Sequence, residues 1–171
     1  MKIELVPYRP DFAKLFFEWR KQPSATLHNP LEPMSIMDID KMLASEGSDL
    51  AEPGFERYRW FIKTDDSVVG NVSIKNISRS MLYAEVGYGI DEQYQGLGIG
   101  TAAVRLLLQK TFQESSLRRL IAFVHDQNLA SCRLLDRLGF RREGLLREHY
   151  LINGHPVNEV LFGLLKHQWR P

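Results

Sequence analysis

Tyr94-Gln95-Gly96-Leu97-Gly98-Ile99-Gly100-Thr101 lies between a segment that reads as a strand and one that reads as a helix. Glycine lets a backbone turn tightly and approach a ligand closely. The first N–H groups of the helix that follows have no partner within it. Together with the helix dipole they attract phosphate oxygens, so the stretch predicts a phosphate-bearing ligand. A Walker A loop needs Lys and then Ser or Thr after its last glycine, whereas Thr101 follows Gly100 directly. A dinucleotide-binding loop places an acid about 20 residues further on, and Asp126 stands near there. That fold puts its loop after a first strand, however, and here several strands precede it. A purely structural glycine loop is the third alternative.

Working outward, Leu82, Ala84, Val86, Tyr88 and Ile90 alternate with Tyr83, Glu85, Gly87 and Gly89, which predicts a strand with one apolar face. After the loop, Ile99, Ala102, Ala103, Leu106 and Leu107 mark the buried stripe of a helix. Residues 120–124 form a continuous apolar run, the pattern of a fully buried strand. Asn128 can cap a helix that runs to Leu138 and ends at Gly139. Residues 144–152 and 157–165 read as closing strands, with Asn153-Gly154 starting their connection. Upstream, residues 3–8 read as a strand, and a helix opening at Pro10 carries Leu15, Phe16 and Trp19. Residues 22–33 read as loop, 35–45 as helix, 46–57 as loop, 58–63 as strand, 64–67 as turn and 68–77 as strand.

A chain of 171 residues favours one domain spanning 1–171, and 44% hydrophobic with 25% charged residues is ordinary globular composition. The net charge of +1 does not favour a nucleic-acid partner, no apolar run approaches a membrane span, and Met1-Lys2-Ile3-Glu4-Leu5 lacks a signal-peptide layout. Cys132 is the one cysteine, which excludes an internal disulfide. The five histidines show no ligand-like spacing, so no metal is expected. These features describe a soluble cytoplasmic protein. Charge is uneven: residues 1–100 hold 11 Lys+Arg against 15 Asp+Glu, and residues 101–171 hold 11 against 6. Between 31 and 56, Glu32, Asp38, Asp40, Glu46, Asp49, Glu52 and Glu56 face Lys41 alone.

Ala84-Glu85-Val86-Gly87-Tyr88-Gly89-Ile90 followed by Gln95-x-x-Gly98-x-Gly100 resembles the acetyl-CoA signature of the GNAT superfamily of N-acetyltransferases. Asn128-Leu129-Ala130-Ser131, then Leu134-Leu135-Asp136-Arg137-Leu138-Gly139-Phe140 and Glu143-Gly144, resembles the block that follows it. The combination is similar to the RimJ/RimL branch over about residues 3–168. The resemblance implies an α/β (α+β) fold with a mixed, twisted central sheet flanked by helices. The strands at 82–90 and 120–124 would splay, with the pantetheine of acetyl-CoA between them. Backbone groups of Tyr88, Gly89 and Ile90 would pair with pantetheine, and Gln95, Gly96, Leu97, Gly98, Ile99, Gly100 and Thr101 would hold the pyrophosphate. Asn128 would bond the pantetheine arm or simply cap its helix. The implied activity is acetyl transfer from acetyl-CoA to a primary amine in a ternary complex. The amine would be a protein N-terminus, a polyamine or another small amine. The alternative is a non-enzymatic acyl-CoA-binding module.

An ammonium acceptor must lose a proton before it attacks a thioester. The resemblance places Glu85 beside the thioester as that base, direct or through water; the bland alternative is a partly exposed surface glutamate. Many relatives carry a tyrosine acid seven residues after the asparagine, where this chain has Leu135. Ser131, one turn beyond Asn128, is the substitute donor to the departing sulfur, or an ordinary Ser in the first turn of a helix. Cys132 reads as a small core residue. Asn158 stands where ribosomal-type relatives often have Asp, and Glu159 is expected on the opposite side of its strand. With the acidic early elements at the acceptor entrance, a cationic amine or peptide N-terminus is the expected partner. No nucleic acid or membrane is expected, and a homodimer is left open.

Overall fold

The computed structural model describes residues 2–65 and 67–171; Met1, and Asp66 of the expected 64–67 turn, lie outside the described residues. Seven strands form one sheet: β1 (Glu4–Val6), β2 (Tyr58–Lys63), β3 (Val68–Ser78), β4 (Tyr83–Ile90), β5 (Arg119–His125), β6 (Arg141–Ile152) and β7 (His155–Leu165). Their order is β1-β2-β3-β4-β5-β7-β6. Only β4 and β5 run parallel; the other neighbours are antiparallel. This is the mixed sheet that the resemblance implied.

Among the described residues five α-helices cover the two faces: α1 (Phe12–Lys21), α2 (Pro23–Leu27), α3 (Ile36–Ala44), α4 (Ile99–Glu114) and α5 (Leu129–Arg137). Side chains alternate along β2, so Trp60 and Ile62 join the core under α4 and α5 while Phe61 points to the other face. There Phe12, Phe16 and Trp19 of α1 and Ile39 and Leu43 of α3 close around Phe61, with the Phe12 ring 5.0 Å from it. The sheet thus carries two cores, and the site forms where it parts.

Four local expectations change. Residues 22–33 were expected as loop but contain α2, because Pro23 at its first turn gives up an N–H that would have had no partner there. The buried line of α4 runs through Ile99, Ala103, Val104, Leu107 and Leu108, while Ala102 and Leu106 are half-buried. The strand β5 is not buried on both faces: Leu120, Ala122 and Val124 are buried, but Phe123 lines a cleft. Asn153 (φ 50°) and Gly154 (φ 79°) are the whole connection between β6 and β7, both left-handed, as a two-residue hairpin turn demands.

Candidate active site

β4 and β5 are paired only at Tyr83–Arg119, Ala84–Leu120 and Glu85–Ile121. Beyond Glu85, β4 stays bonded to β3 as far as Ile90, and β5 stays bonded to β7 as far as His125. Each strand follows its other neighbour, so the twist of the sheet is released at this one junction. The gap is a cleft of about 870 Å³ that reaches from the N-terminus of α4 to α1 and α2.

At one end stands the glycine loop. Gly96 (φ 75°) and Gly98 (φ 79°) are left-handed, and a Cβ on either would meet nothing within 4 Å. Gly98 precedes the first turn of α4, and no side chain caps that turn. The first intrahelical bond is Ala102 N–H to the Gly98 carbonyl, 3.1 Å. The amides of Ile99, Gly100 and Thr101 are therefore free of helix partners, which fits a phosphate. Gly96, Gly98, Ile99, Gly100 and Thr101 line the cleft; Leu97 does not, and its side chain is 62% exposed. Gln95 lines it too, but its side-chain amide braces the loop by donating to the Ile90 carbonyl (3.0 Å) and Ser24 Oγ (3.2 Å). Arg133 and Arg137, one turn apart on α5, add positive charge to the cleft. Arg142 is instead paired with Asp136 at 2.8 Å.

At the middle of the cleft, Asn128 Oδ1 accepts from Ser131 N–H (3.1 Å) and so caps α5. Among the described residues its amide nitrogen makes no hydrogen bond, which leaves that group for a ligand. Ser131 Oγ lies 2.5 Å from the phenol of Tyr88. Burial pushes that phenol up to about 12, against the opposing effect of the Ser131 hydrogen bond. The sequence reading assigned only the backbone of Tyr88. The alternation Ala84, Val86, Tyr88 on one apolar face is the signal that could have found its ring. Leu135 is fully buried, and Cys132 is a buried thiol whose pKa burial raises.

Glu85 sits at the last paired position before the strands part, on the face opposite Ala84 and Val86. It is 8% exposed, so it is not a surface glutamate. Asn76 Nδ2 donates to its carboxylate at 2.6 Å, and Lys75 Nζ lies 2.9 Å away. Asn76 reaches it from a bulge, with φ 49°. The same wall carries Arg20, Arg57 and Arg59. Arg59 is buried and held by Glu46 through Nε (2.6 Å) and Nη2 (3.2 Å), and by Asn71 Oδ1 (2.5 Å). Charge in this wall was missed because its members are scattered along the chain.

Two observations bear on the expectations for this end. None of Glu32, Asp38, Asp40, Glu46, Asp49, Glu52 and Glu56 lines the cleft. Asp38 bonds the Ser35 cap of α3, Asp40 takes the Tyr8 phenol, Glu46 holds Arg59 and Asp49 accepts from Ala51 N–H. Glu159, not Asn158, reaches the cleft, where it pairs with His149 at 2.6 Å. Asn158 is turned to Asp126 (3.0 Å). The structure also brings His28 and His125 together in the cleft, ring centroids 4.8 Å apart, with burial and His125 holding His28 below its ordinary value.

Among the described residues, no group of three or more His, Cys, Asp or Glu converges, and no helix is long and apolar enough to cross a membrane. A mixed sheet parted beside a parallel pair, with an uncapped helix N-terminus at one end of the gap, is the architecture of the acyl-CoA N-acyltransferases. The chain belongs to the acetyltransferase (GNAT) domain family, whose model matches residues 2–141. It is 42% identical over 106 residues to a probable N-acetyltransferase of Bacillus subtilis, YjcK, a match spanning 59% of this chain and 59% of that protein. It is 27% identical to the uncharacterised N-acetyltransferase p20 of Bacillus licheniformis, over 92% of this chain and 89% of the relative. The structure of Mycobacterium smegmatis RimJ in complex with CoA-disulfide has the same fold, with a TM-score of 0.84 at 24% identity over 95% of this chain and 81% of that one.

Proposed function

We propose that the chain is an N-acetyltransferase that moves the acetyl group of acetyl-CoA onto a primary amine by direct attack in a ternary complex. The observation that carries this reading is the parting of β4 and β5 at Glu85 and Ile121, which joins the α4 N-terminus and the Glu85 wall in one cleft. Acetyl-CoA supplies the activated thioester. The loop amides from Gly96 to Thr101 hold its pyrophosphate, supported by Arg133 and Arg137. The free edge of β4 at Tyr88–Ile90 pairs with pantetheine as an added strand would, and the Asn128 amide donates to it.

Glu85 takes the proton of the acceptor ammonium, directly or through a water. The amine then attacks the thioester carbon, the C–N bond forms, and the C–S bond breaks. Ser131 donates its hydroxyl proton toward the departing sulfur and is reprotonated by the second proton that the nitrogen sheds as the amide forms. Tyr88 acts through Ser131, 2.5 Å away: with the phenol as donor to Ser131 Oγ, the serine proton is free for the thiolate. Tyr88 is thus a positioning residue that replaces, from β4, the order a tyrosine at position 135 would have supplied from α5.

Acetyl-CoA should raise the melting temperature by mass action, and an amine screen should release CoA thiol. A melting shift with NAD or ATP and none with acetyl-CoA overturns the assignment. A shift with acetyl-CoA and no thiol release with any amine identifies a binding module instead.

A further inference from the structure

We propose that the acceptor amine also carries an anionic group, a carboxylate or a phosphate, held by Arg20 and Arg57 on the wall of the cleft that bears Glu85. The inference rests on the acetyl-transfer reading and deepens it by naming the substrate class. Four cations of that wall line the cleft, Arg20, Arg57, Arg59 and Lys75, and Glu85 is its one carboxylate there. Two of the cations are already matched. Arg59 has both oxygens of Glu46, and Lys75 has Glu85.

Among the described residues Arg20 has no carboxylate partner, and Arg57 has only a share of Glu46, which Arg59 holds more closely. The nearest carboxylate oxygen of Arg57 is Glu46 Oε1 at 3.5 Å, and Arg59 Nη2 already holds that atom at 3.2 Å. Arg20 donates to a backbone carbonyl, that of Glu32, at 2.6 Å. Both guanidiniums are held below their ordinary value by burial first and by repulsion from Arg59 second. Desolvated like charges of this kind cost free energy unless an anion joins them. The planar guanidinium fork matches a carboxylate or phosphate edge in two parallel hydrogen bonds.

The CoA phosphates are not that anion, because their site is the distant α4 end with Arg133 and Arg137. Arg57 also lies within the field of Glu85. An acceptor whose anion meets Arg57 and Arg20 would therefore present its ammonium toward Glu85. A polyamine finds a poorer match: of the two carboxylates that line the cleft, Glu85 is paired with Lys75 and Glu159 with His149.

The test has two readouts. The first is thiol release from acetyl-CoA with matched amines: glycine against glycinamide, O-phosphoethanolamine against ethanolamine, and spermidine. The anionic member of at least one pair should be favoured about 10- to 100-fold in kcat/KM, the range of charge-assisted hydrogen bonds. The carboxylate and phosphate pairs tell the two chemistries apart. Arg20→Gln and Arg57→Gln should each collapse the preference. The second readout is the melting temperature of protein already saturated with CoA. It should rise with the anionic amines, not with spermidine, and the rise should vanish in both variants; a retained CoA shift shows that the variants fold. Faster acetylation or stronger stabilisation by spermidine overturns the anionic acceptor and leaves acetyl transfer standing. So does an anion effect that survives both substitutions, or the absence of any anion effect. Failure of acetyl-CoA itself to bind overturns the acetyl-transfer reading as well.

Discussion

The two ends of the cleft are made of different material. The end proposed for the donor is backbone: left-handed glycines, three amides without helix partners and the unpaired edge of β4, all within residues 86–101. The end proposed for the acceptor is side chain: Arg20, Arg57, Arg59, Lys75 and Glu85 come from α1, the approach to β2, β2 itself, β3 and β4. A backbone cradle binds the same cofactor whatever surrounds it. A side-chain wall can be rewritten one residue at a time. The difference teaches where specificity resides, and each prediction below attacks one end while sparing the other.

The largest effect should come from Gly98→Asp. Aspartate tolerates left-handed backbone, and a side chain there enters open space beside the amides. The fold should survive while an anion faces the pyrophosphate. Like-charge juxtaposition costs several kcal/mol, so acetyl-CoA affinity should fall by about 100-fold or more. Calorimetric titration would show this; an unchanged affinity would mean that the loop is only structural.

The middle of the cleft should separate rate from binding. Glu85→Gln should lower kcat by about 100-fold, within the range for acid–base groups, with little change in the KM for acetyl-CoA. Ser131→Ala should cost about 10- to 100-fold by the same reasoning. Tyr88→Phe should cost less, about 10-fold. If Tyr88 acts through Ser131, the double variant should be no slower than Ser131→Ala. Fully additive losses would make the tyrosine role independent of the serine.

The same contrast explains what could be read from the chain. The donor end was legible because glycine spacing encodes backbone shape locally, and the cap at Asn128 lies three residues from the serine it orders. The face of the Tyr88 ring follows from alternation, but its bond to Ser131, 43 positions away, does not. The acceptor wall was not legible, because its pairs cross 9 to 13 positions of sequence, from Asn76 reaching Glu85 to Arg59 reaching Glu46. The run of acids from 31 to 56 also stops one residue short of Arg57 and three short of Arg59. Counting charge along the chain gave the sign of that segment. It missed that several of those acids are engaged by the protein's own donors, and that the cations just beyond them face the cleft. Among the elements, β5 misled because an apolar strand beside a cleft has the same composition as one buried on both faces.

The smallest effect should come from the acids that remain in solvent. Asp49, Glu52 and Glu56 are exposed and none lines the cleft. Glu46 must be left intact, because its loss would strand buried Arg59 without its carboxylate. Neutralising the other three as amides removes negative charge from outside the site. Surface substitutions of this kind stay within about two-fold. Their residual influence is a field at a distance, screened beyond about 10 Å at 0.1 M salt. For an anionic acceptor the triple variant should lower KM slightly at low salt, with the difference gone at high salt. For a cationic acceptor drawn in by these acids, KM should rise and its salt dependence should flatten. The sign of the change at low ionic strength therefore decides between a wall read from Arg20 and Arg57 and an entrance read from the acidic run.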